Sequence, residues 1–363
     1  MWQERLARVR ARMEQLDVEV LLLSLGADLP WLTGYRAMPL ERLTMLVLPV
    51  DDRATLVVPA LEAARVEDDD AVFGLRPWSE AEDPVALVAG LVGGRRRLAV
   101  SDRTWATFVL ELQARLPGGT WSTSSAVTSP LRAVKDRVEV EILRRASAAA
   151  DRVAAQLVDG EIALLGRTEA EVSADLGRRL IAEGHQKVNF AIVGSGPCSA
   201  SPHHEPGRRR IGPDEAVVCD FGGTLDGYCS DTTRTIFTGD PPADFRDLYA
   251  VLQAAQAAAV EAATVGTPCE DVDGVARRII EEGGYGPHFM HRTGHGIGME
   301  EHEDPYLVGG NCEPLAPGNA FSVEPGIYLR NRWGARIEDI VIASDEGPDA
   351  LNSVSHDLAT VEA

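Results

Sequence analysis

The chain has 363 residues, and its 45% hydrophobic composition supplies enough apolar surface for one large core or two smaller ones, so disorder is not expected. Its formal net charge is −21, from 56 acidic and 35 basic residues, which disfavours nucleic acid and anionic membranes as partners. The sequence has no recognisable secretion signal and no apolar run near the ~20 residues of a membrane-spanning helix, so we expect no membrane partner.

Short apolar runs alternate with helical segments in the first third of the chain. Apolar residues at helical spacing between Leu6 and Leu16 precede the run Val18–Leu23, which suits a buried strand. Two further β-rich runs and three helical segments follow. They are Leu43–Leu48, Thr55–Val58, 59–66, 85–92 and 103–115. The alternation predicts an α/β domain over residues 1–125.

Residues 116–130 are rich in Pro, Gly, Ser and Thr and lie between two periodic segments, as expected of a linker. We therefore place the domain boundary there and expect a second domain over residues 126–363. Its first helix is predicted over Lys135–Leu157, with apolar residues on one side. The next helix is predicted to begin at Thr168, where Glu171 completes a capping box.

A hairpin is predicted next, because the apolar β runs Ala216–Phe221 and Tyr228–Phe237 flank a turn that contains Asp226-Gly227. Two further helices and a return to β structure complete the chain. These elements are 243–263, Asp271–Glu282, Ala320–Val323 and Arg336–Ile342.

Five cysteines occur along the chain: Cys198, Cys219, Cys229, Cys269 and Cys312. Their number is odd, and no two are separated by two residues, which argues against a disulfide framework and against a thiolate zinc site. We expect reduced thiols in a cytoplasmic protein.

Four carboxylates lie inside or beside apolar β runs, where an ionised group is costly unless it is paired or binds a metal. They are Asp220, Asp231, Glu324 and Glu338. The predicted hairpin can bring Asp220 and Asp231 together. His295 lies between Gly294 and Gly296, which are predicted to let the backbone turn sharply and present the imidazole.

The four carboxylates have a formal charge of −4, which two divalent cations would neutralise. A shell of oxygens with one histidine suits Mn²⁺, Co²⁺ or Zn²⁺ better than a soft, thiolate-binding ion. Two such cations can activate a shared water, polarise a carbonyl and stabilise the oxyanion. A single buried Asp or Glu is more often a paired structural group, and a single His near glycines is about as often a loop residue, so only the five together predict a dinuclear centre.

Five short segments surround these residues: Val218–Gly222, Ser230–Thr235, His291–Gly298, Ser322–Tyr328 and Arg336–Asp339. In this order they make the chain, from about Pro130 to its end, resemble the pita-bread metallopeptidases, which include prolidase (Xaa-Pro dipeptidase), aminopeptidase P and methionine aminopeptidase. The resemblance implies an α/β (α+β) chain whose catalytic domain has a curved antiparallel sheet flanked by helices.

The first domain resembles the creatinase-type leading domain through Trp31–Tyr35. This resemblance implies a homodimer in which the leading domain shields the neighbouring active site and restricts substrates to short peptides. Trp31 either packs in the core or lines the pocket.

The resemblance also implies a ligand set for two divalent metal ions per subunit, Mn²⁺ in preference to Co²⁺ or Zn²⁺. It implies that Asp220 chelates one ion, while Asp231 and Glu338 bridge both. His295 and Glu324 would complete the other. Glu324 is also implied to carry a proton from the bridging water to the leaving nitrogen.

Proline-specific members of the family have additional histidines, and Pro202-His203-His204 and His302–Pro305 resemble their pattern. The resemblance implies that His204 and His302 stabilise the oxyanion. His203 and His288 are expected to be exposed to solvent and are left out of the site.

His291 is implied to line the pocket on the proline side. Arg336 either binds the substrate carboxylate or contacts the metal-binding carboxylates.

The implied activity is hydrolysis of the Xaa-Pro bond in short proline-containing peptides, as a dipeptidase or as an aminopeptidase P. A methionine-type aminopeptidase is disfavoured by the long leading domain and the His302–Pro305 segment. A silent peptide-binding module and a creatine-hydrolysing enzyme are disfavoured by the complete ligand set. The sequence leaves open a side activity on phosphotriesters.

Overall fold

The computed structural model describes residues 2–67 and 71–362. The chain divides into two compact units, Met1–Arg132 and Ala133–Ala363. Within the described part of the chain, no helix has both the length and the apolar character needed to cross a membrane.

The first unit contains a six-stranded mixed sheet. Its strands are β1 (Val20–Leu23), β2 (Met45–Pro49), β3 (Ala54–Pro59), β4 (Phe73–Trp78), β5 (Arg97–Val100) and β6 (Thr120–Thr123). They lie in the order β4-β3-β2-β1-β5-β6. The β1–β2 and β2–β3 pairs are antiparallel, whereas the other three pairs are parallel.

The described part of this unit also contains a short 3-10 helix, Ala63–Arg65, and five α-helices: α1 (Trp2–Gln15), α2 (Asp28–Thr33), α3 (Pro84–Val92), α4 (Ala106–Arg115) and α5 (Ser125–Ala133). The α3 helix begins after Asp83, whose side chain accepts a hydrogen bond from Ala86 N, and Pro84 suits its first turn. Its apolar residues pack against the sheet, in a core that includes residues of β1 and β2. Trp31 is 1% exposed, so it is a core residue.

The segment 116–130, predicted as a linker, contains β6 and most of α5 instead. Its hydroxyl groups bind a buried carboxylate: Ser124 Oγ and Thr128 Oγ1 each donate to Asp28 Oδ2 at 2.9 Å. Arg132 adds an ion pair with Asp28 at 2.9 Å. Ser and Thr therefore serve tertiary contacts here, which composition alone does not distinguish from a flexible segment.

The second unit contains two five-stranded sheets and a separate two-stranded ribbon. Its strands are β7 (Lys187–Ser195), β8 (Glu215–Leu225), β9 (Tyr228–Cys229), β10 (Thr232–Thr238), β11 (Gly294–Gly296), β12 (Glu303–Leu307), β13 (Ala320–Val323), β14 (Gly326–Leu329), β15 (Trp333–Arg336), β16 (Asp339–Ser344), β17 (Gly347–Ala350) and β18 (Ala359–Val361). One sheet has the order β18-β10-β8-β7 with β9 paired to β8, the other the order β12-β11-β13-β16-β17, and β14 pairs with β15. All pairs are antiparallel except β10–β18.

Four long helices cover these sheets: α6 (Arg137–Val158), α7 (Glu169–Ala182), α8 (Ala243–Ala262) and α9 (Cys269–Glu282). The predicted capping box at α7 is present, since Glu171 N donates to Thr168 Oγ1 and Thr168 N donates to the Glu171 carboxylate. A second capping box, Asp136 with Glu139, starts α6. The apolar faces of α6 and α7 pack on β8 and β10, while α8 and α9 pack on β13 and β16.

The predicted hairpin forms, with Asp226 and Gly227 at positive φ in its turn. Its return strand is interrupted, because β9 ends at Cys229 and β10 begins at Thr232. At this point a Cβ on Gly222 would lie 2.1 Å from the carbonyl oxygen of Ser230, so only glycine fits. The interruption places Asp231 between two strands.

Candidate metal centre

The five predicted ligands lie on or between strands of the second unit and line one cavity of about 490 Å³. Asp220 lies on β8, Asp231 between β9 and β10, and His295 on β11. Glu324 follows β13 directly, and Glu338 lies between β15 and β16. The two sheets meet here, because Glu338 N donates to Thr233 O at 3.2 Å.

His295 is held by close packing of strands. A Cβ on Gly294 would lie 1.8 Å from the Ser322 carbonyl oxygen, and one on Gly296 would lie 2.3 Å from the Asp304 backbone. The flanking glycines were predicted to make a sharp turn; instead, they let neighbouring backbones approach β11.

The atoms of the candidate ligands lie close together. Asp231, His295 and Glu338 each bring one ligand atom, and these three atoms lie within 4.8 Å of one another. His295 Nε2 is 3.1 Å from Glu324 Oε1 and 3.9 Å from Asp231 Oδ2. The Nδ1–H of His295 donates to the Gly296 carbonyl at 3.1 Å, so Nε2 is the ring nitrogen that would bind a metal in place of its contact with Glu324.

Three buried carboxylate oxygens make no hydrogen bond to any described residue. They are Asp220 Oδ1, Asp231 Oδ1 and Glu338 Oε1. A buried polar atom without a partner costs about 1–3 kcal/mol, and more when it is charged. Oxygen-binding divalent cations would satisfy these atoms, so the donor set fits a pair of such ions.

Burial and mutual repulsion dominate the ionisation of the cluster. Burial, followed by the charges of neighbouring carboxylates, raises the pKa of Asp231 and of Glu338 well above the ordinary values. Burial also raises the pKa of Asp220, although the charge of Arg336 opposes it. Burial acts to raise the pKa of Glu324 as well. The hydrogen bond and charge of His295 outweigh this effect, so the pKa of Glu324 is lowered to about 2.

Arg336 is 2% exposed and contacts the carboxylate cluster. Its Nη2 donates to Asp220 Oδ2 at 2.5 Å, and its Nε donates to Thr233 Oγ1 at 3.1 Å. Thr233 Oγ1 in turn donates to Glu338 Oε2 at 2.6 Å. Of the two roles predicted for Arg336, these contacts favour the support of metal-binding carboxylates.

His291 and His302 both line the cavity. The His291 Nδ1–H donates to the Arg292 carbonyl at 2.7 Å, and its Nε2 is 2.9 Å from Tyr328 Oη. The His302 ring lies 3.9 Å from that of His295, centroid to centroid. Burial, and then the charge of His295, lowers the pKa of His302 to about 4, and burial also lowers the pKa of His291.

His203 lines the cavity, whereas His204, which was predicted to belong to the site, does not. His204 does not line the cavity; its Nε2–H donates to Glu169 Oε2 at 2.8 Å. His203 is exposed, as predicted, yet it lines the cavity together with Pro202. A pair of adjacent histidines gives no sequence signal for which one faces inward, because the answer depends on the turn that follows β7.

Four further residues that line the cavity were not predicted from the sequence. They are Phe190, Ile192, Arg292 and Glu301. The Arg292 guanidinium lies 4.4 Å above the Tyr306 ring and 3.5 Å from His302 Nδ1. The sequence could have indicated Arg292, because it lies in the segment His291–Gly298, which also contains the predicted ligand His295.

Comparison with known proteins agrees with this architecture. The sequence model for "Metallopeptidase family M24" matches residues 141–345, and that for "Creatinase/Prolidase N-terminal domain" matches residues 5–134. A curated relative from Mycobacterium tuberculosis, named probable dipeptidase PepE, is 44% identical over 98% of this chain and 96% of its own length.

Two solved structures are also close. Dipeptidase PepE from Mycobacterium ulcerans is 44% identical with a TM-score of 0.94, and the match covers 100% of this chain and 98% of that one. A prolidase from Thermococcus sibiricus is 33% identical with a TM-score of 0.94, and the match covers 99% of both chains. The predicted leading domain and pita-bread domain are confirmed.

Proposed function

This chain belongs to metallopeptidase family M24, and from that premise we propose that it is an Xaa-Pro dipeptidase, which hydrolyses the bond before proline. The observation that carries the proposal is one cavity lined by all five candidate metal ligands together with three histidines, His203, His291 and His302. The relatives named dipeptidase and prolidase support the same substrate class.

We assign Asp220 to one divalent cation, and Asp231 and Glu338 to both. His295 and Glu324 complete the second. Mn²⁺ is our preferred ion, ahead of Co²⁺ and Zn²⁺, because four of the five candidate ligands are carboxylates, and carboxylate oxygens suit Mn²⁺. When bound, the two cations supply a nucleophilic water at neutral pH and polarise the substrate carbonyl.

Glu324 is the group we assign to proton transfer. Ser322 Oγ donates to its Oε1 at 3.1 Å, which orients the carboxylate. It accepts a proton from the attacking water as the oxygen bonds to the carbonyl carbon. It then returns this proton to the proline nitrogen as the carbon–nitrogen bond breaks, since that nitrogen leaves as an amine.

We assign His203, in place of His204, and His302 to the developing oxyanion. The low pKa of His302 keeps it neutral, so one ring nitrogen retains a hydrogen to donate. His291 is assigned to the proline side of the cavity, where its hydrogen bond with Tyr328 holds the ring in place.

Arg292 is the group we assign to the free carboxylate of a dipeptide. It lines the same cavity beside His302, and a planar guanidinium binds a carboxylate through two parallel hydrogen bonds. Among peptides cleaved after their first residue, only an Xaa-Pro dipeptide has a free carboxylate directly after proline. This residue therefore favours dipeptides over longer peptides.

We also propose a homodimer in a reducing, cytoplasmic compartment. All five cysteines are free thiols, which suits a reducing environment. The homodimer rests on the resemblance of the first domain to the creatinase-type leading domain.

The proposal is tested with protein purified without added metal and then loaded separately with Mn²⁺, Co²⁺ and Zn²⁺. Release of the first residue is measured from Ala-Pro, Ala-Pro-Ala and Met-Ala-Ser, with Asp231→Asn as the inactive control. We expect cleavage of Ala-Pro in preference to both tripeptides. Preferred cleavage of Ala-Pro-Ala would assign an aminopeptidase P, and no turnover with any metal would contradict a peptidase.

A further inference from the structure

A second cluster of metal-ligating side chains lies outside the set that lines the cavity. Glu169 is the first residue of α7, Cys198 lies in the turn that follows β7, and His204 lies six residues further on. Each brings one ligand atom, and the three atoms lie within 4.8 Å of one another. The proposed hydrolysis uses none of them.

Glu169 is the oriented anion of this cluster. It is 1% exposed, and its Oε1 accepts hydrogen bonds from Ser195 N at 2.9 Å and Ser195 Oγ at 2.7 Å. Burial raises its pKa, but hydrogen bonds from His204 and Ser195 outweigh burial, so the pKa lies below its ordinary value. The carboxylate is therefore ionised, with Oε2 directed at His204.

One carboxylate, one imidazole and one thiol form a donor set that suits a borderline-soft divalent cation. Zinc binds sulfur at about 2.3 Å and nitrogen or oxygen at about 2.0–2.2 Å, which places tetrahedral ligand atoms roughly 3.3–3.8 Å apart. The three ligand atoms already lie within 4.8 Å of one another, and the 2.8 Å contact between His204 and Glu169 would lengthen as the ion enters. Hard cations such as Mn²⁺ prefer oxygen and compete poorly for a thiolate.

The charges balance when the ion binds. The Cys198 thiol loses its proton to solvent, so the thiolate and the Glu169 carboxylate together neutralise Zn²⁺. His204 binds as the neutral imidazole that has its hydrogen on Nδ1, so that Nε2 faces the ion instead of donating to Glu169. The guanidinium of Arg209 interacts electrostatically with Cys198 and Glu169. It donates to Ser195 Oγ and is paired with both carboxylate oxygens of Glu215 at 2.7 and 2.5 Å. That pairing offsets its repulsion of a cation.

We propose that Glu169, Cys198 and His204 bind one Zn²⁺ ion separately from the dinuclear centre, with water as the fourth ligand. His204 is the chain neighbour of His203, which lines the cavity. A bound ion would therefore link the segment that contains His203 to the start of α7.

Cobalt is the probe that separates the two sites. A thiolate bound to Co²⁺ gives a near-ultraviolet charge-transfer band, whereas the oxygen and imidazole donors of the dinuclear centre give none. Metal-free full-length protein titrated with Co²⁺ should bind three equivalents and develop this band, and Zn²⁺ should abolish it. Asp231→Asn should keep the band while total bound cobalt falls, so the result does not depend on the peptidase proposal.

Cys198→Ser should lose the band and one equivalent of cobalt, whereas Cys312→Ser, which changes an exposed thiol, should retain both. His204→Gln, which keeps a donor for Glu169, should weaken cobalt binding at the third site at least tenfold. Circular dichroism verifies folding of each variant. Absence of the band in the unmodified protein, or its persistence in Cys198→Ser, would overturn the proposal.

Discussion

The carboxylates of the cavity differ in how their charge is compensated. Asp220 has a fixed positive partner in Arg336, and Glu324 faces His295. Among these carboxylates, Asp231 and Glu338 have the most strongly raised pKa values, because burial and neighbouring anions act on them together. These two residues therefore gain most from bound cations, which agrees with the bridging role that we propose for them.

Substitution of the adjacent histidines His203 and His204 tests which of them donates to the oxyanion. His203→Ala should lower kcat for Ala-Pro about 10²-fold or more, because it removes a donor to the oxyanion. The matched variant His204→Gln should lower kcat less than tenfold, because it still donates to Glu169. Steady-state kinetics of the Mn²⁺-loaded variants gives the comparison, and the reverse order of effects would restore His204 as the oxyanion donor.

Arg292 provides a second test. Arg292→Ala should raise KM for Ala-Pro at least tenfold, since a charge-assisted pair contributes about 1.5–3 kcal/mol. KM for Ala-Pro-amide, which lacks the carboxylate, should change little. Equal effects on the two substrates would show that Arg292 does not bind the carboxylate.

In the secondary structure, three of the five candidate ligands lie where strands end or are interrupted. The return strand of the hairpin breaks between Cys229 and Thr232, and Glu324 and Glu338 closely follow β13 and β15. Glycine makes the close approaches possible at Gly222 and Gly294. These three carboxylates can converge without occupying positions that the sheet needs for apolar packing, whereas Asp220 lies within β8.

One ion pair joins the segment before α6 to the start of β12, next to His302. Lys135 Nζ lies 2.6 Å from Glu303 Oε1, and the two side chains are 1% and 8% exposed. Lys135→Met should destabilise the protein by about 3–5 kcal/mol, because it removes the cation that faces a buried carboxylate.

Thermal unfolding of the Mn²⁺-loaded protein measures this effect. Lys187→Met, which changes an exposed lysine, is the matched control. Adding Glu303→Gln to Lys135→Met should recover part of the loss, since the buried negative charge is then removed as well. A Lys135→Met variant as stable as the control would contradict the prediction.

For the molecule as a whole, bound metal and pH are linked. Asp231 and Glu338 have folded-state pKa values above the unfolded ones, so without metal they favour folding at low pH and this contribution is lost as pH rises through their folded pKa values. Cation binding requires the ionised forms, so metal affinity rises with pH. Stabilisation by metal should therefore be larger at pH 7.5 than at pH 5.5.

Thermal unfolding with and without Mn²⁺ at the two pH values measures this linkage. A ligand at 100 times its Kd adds about 2.7 kcal/mol, so the shift is measurable. Asp231→Asn should reduce both the shift and its pH dependence. A shift of the same size at both pH values would contradict the proposed ligands.

The sequence predicted the elements that depend on local chemistry. The capping box at Thr168, the hairpin turn at Asp226-Gly227 and the helix near 243–263 are all present. The five candidate ligands were identified because ionisable residues beside apolar β runs need a partner, and because their surroundings resemble a known family. These features need only residues that are near each other along the chain.

The remaining features depend on contacts between distant residues. Composition indicated a linker at 116–130, whereas the hydroxyls there bind Asp28 in the core. Which of His203 and His204 enters the cavity depends on Glu169, 35 residues before His204, which holds His204 by a hydrogen bond. Local sequence specifies which groups need a partner, but only the tertiary structure decides the partner, because hydrogen bonds and burial depend on distances in space.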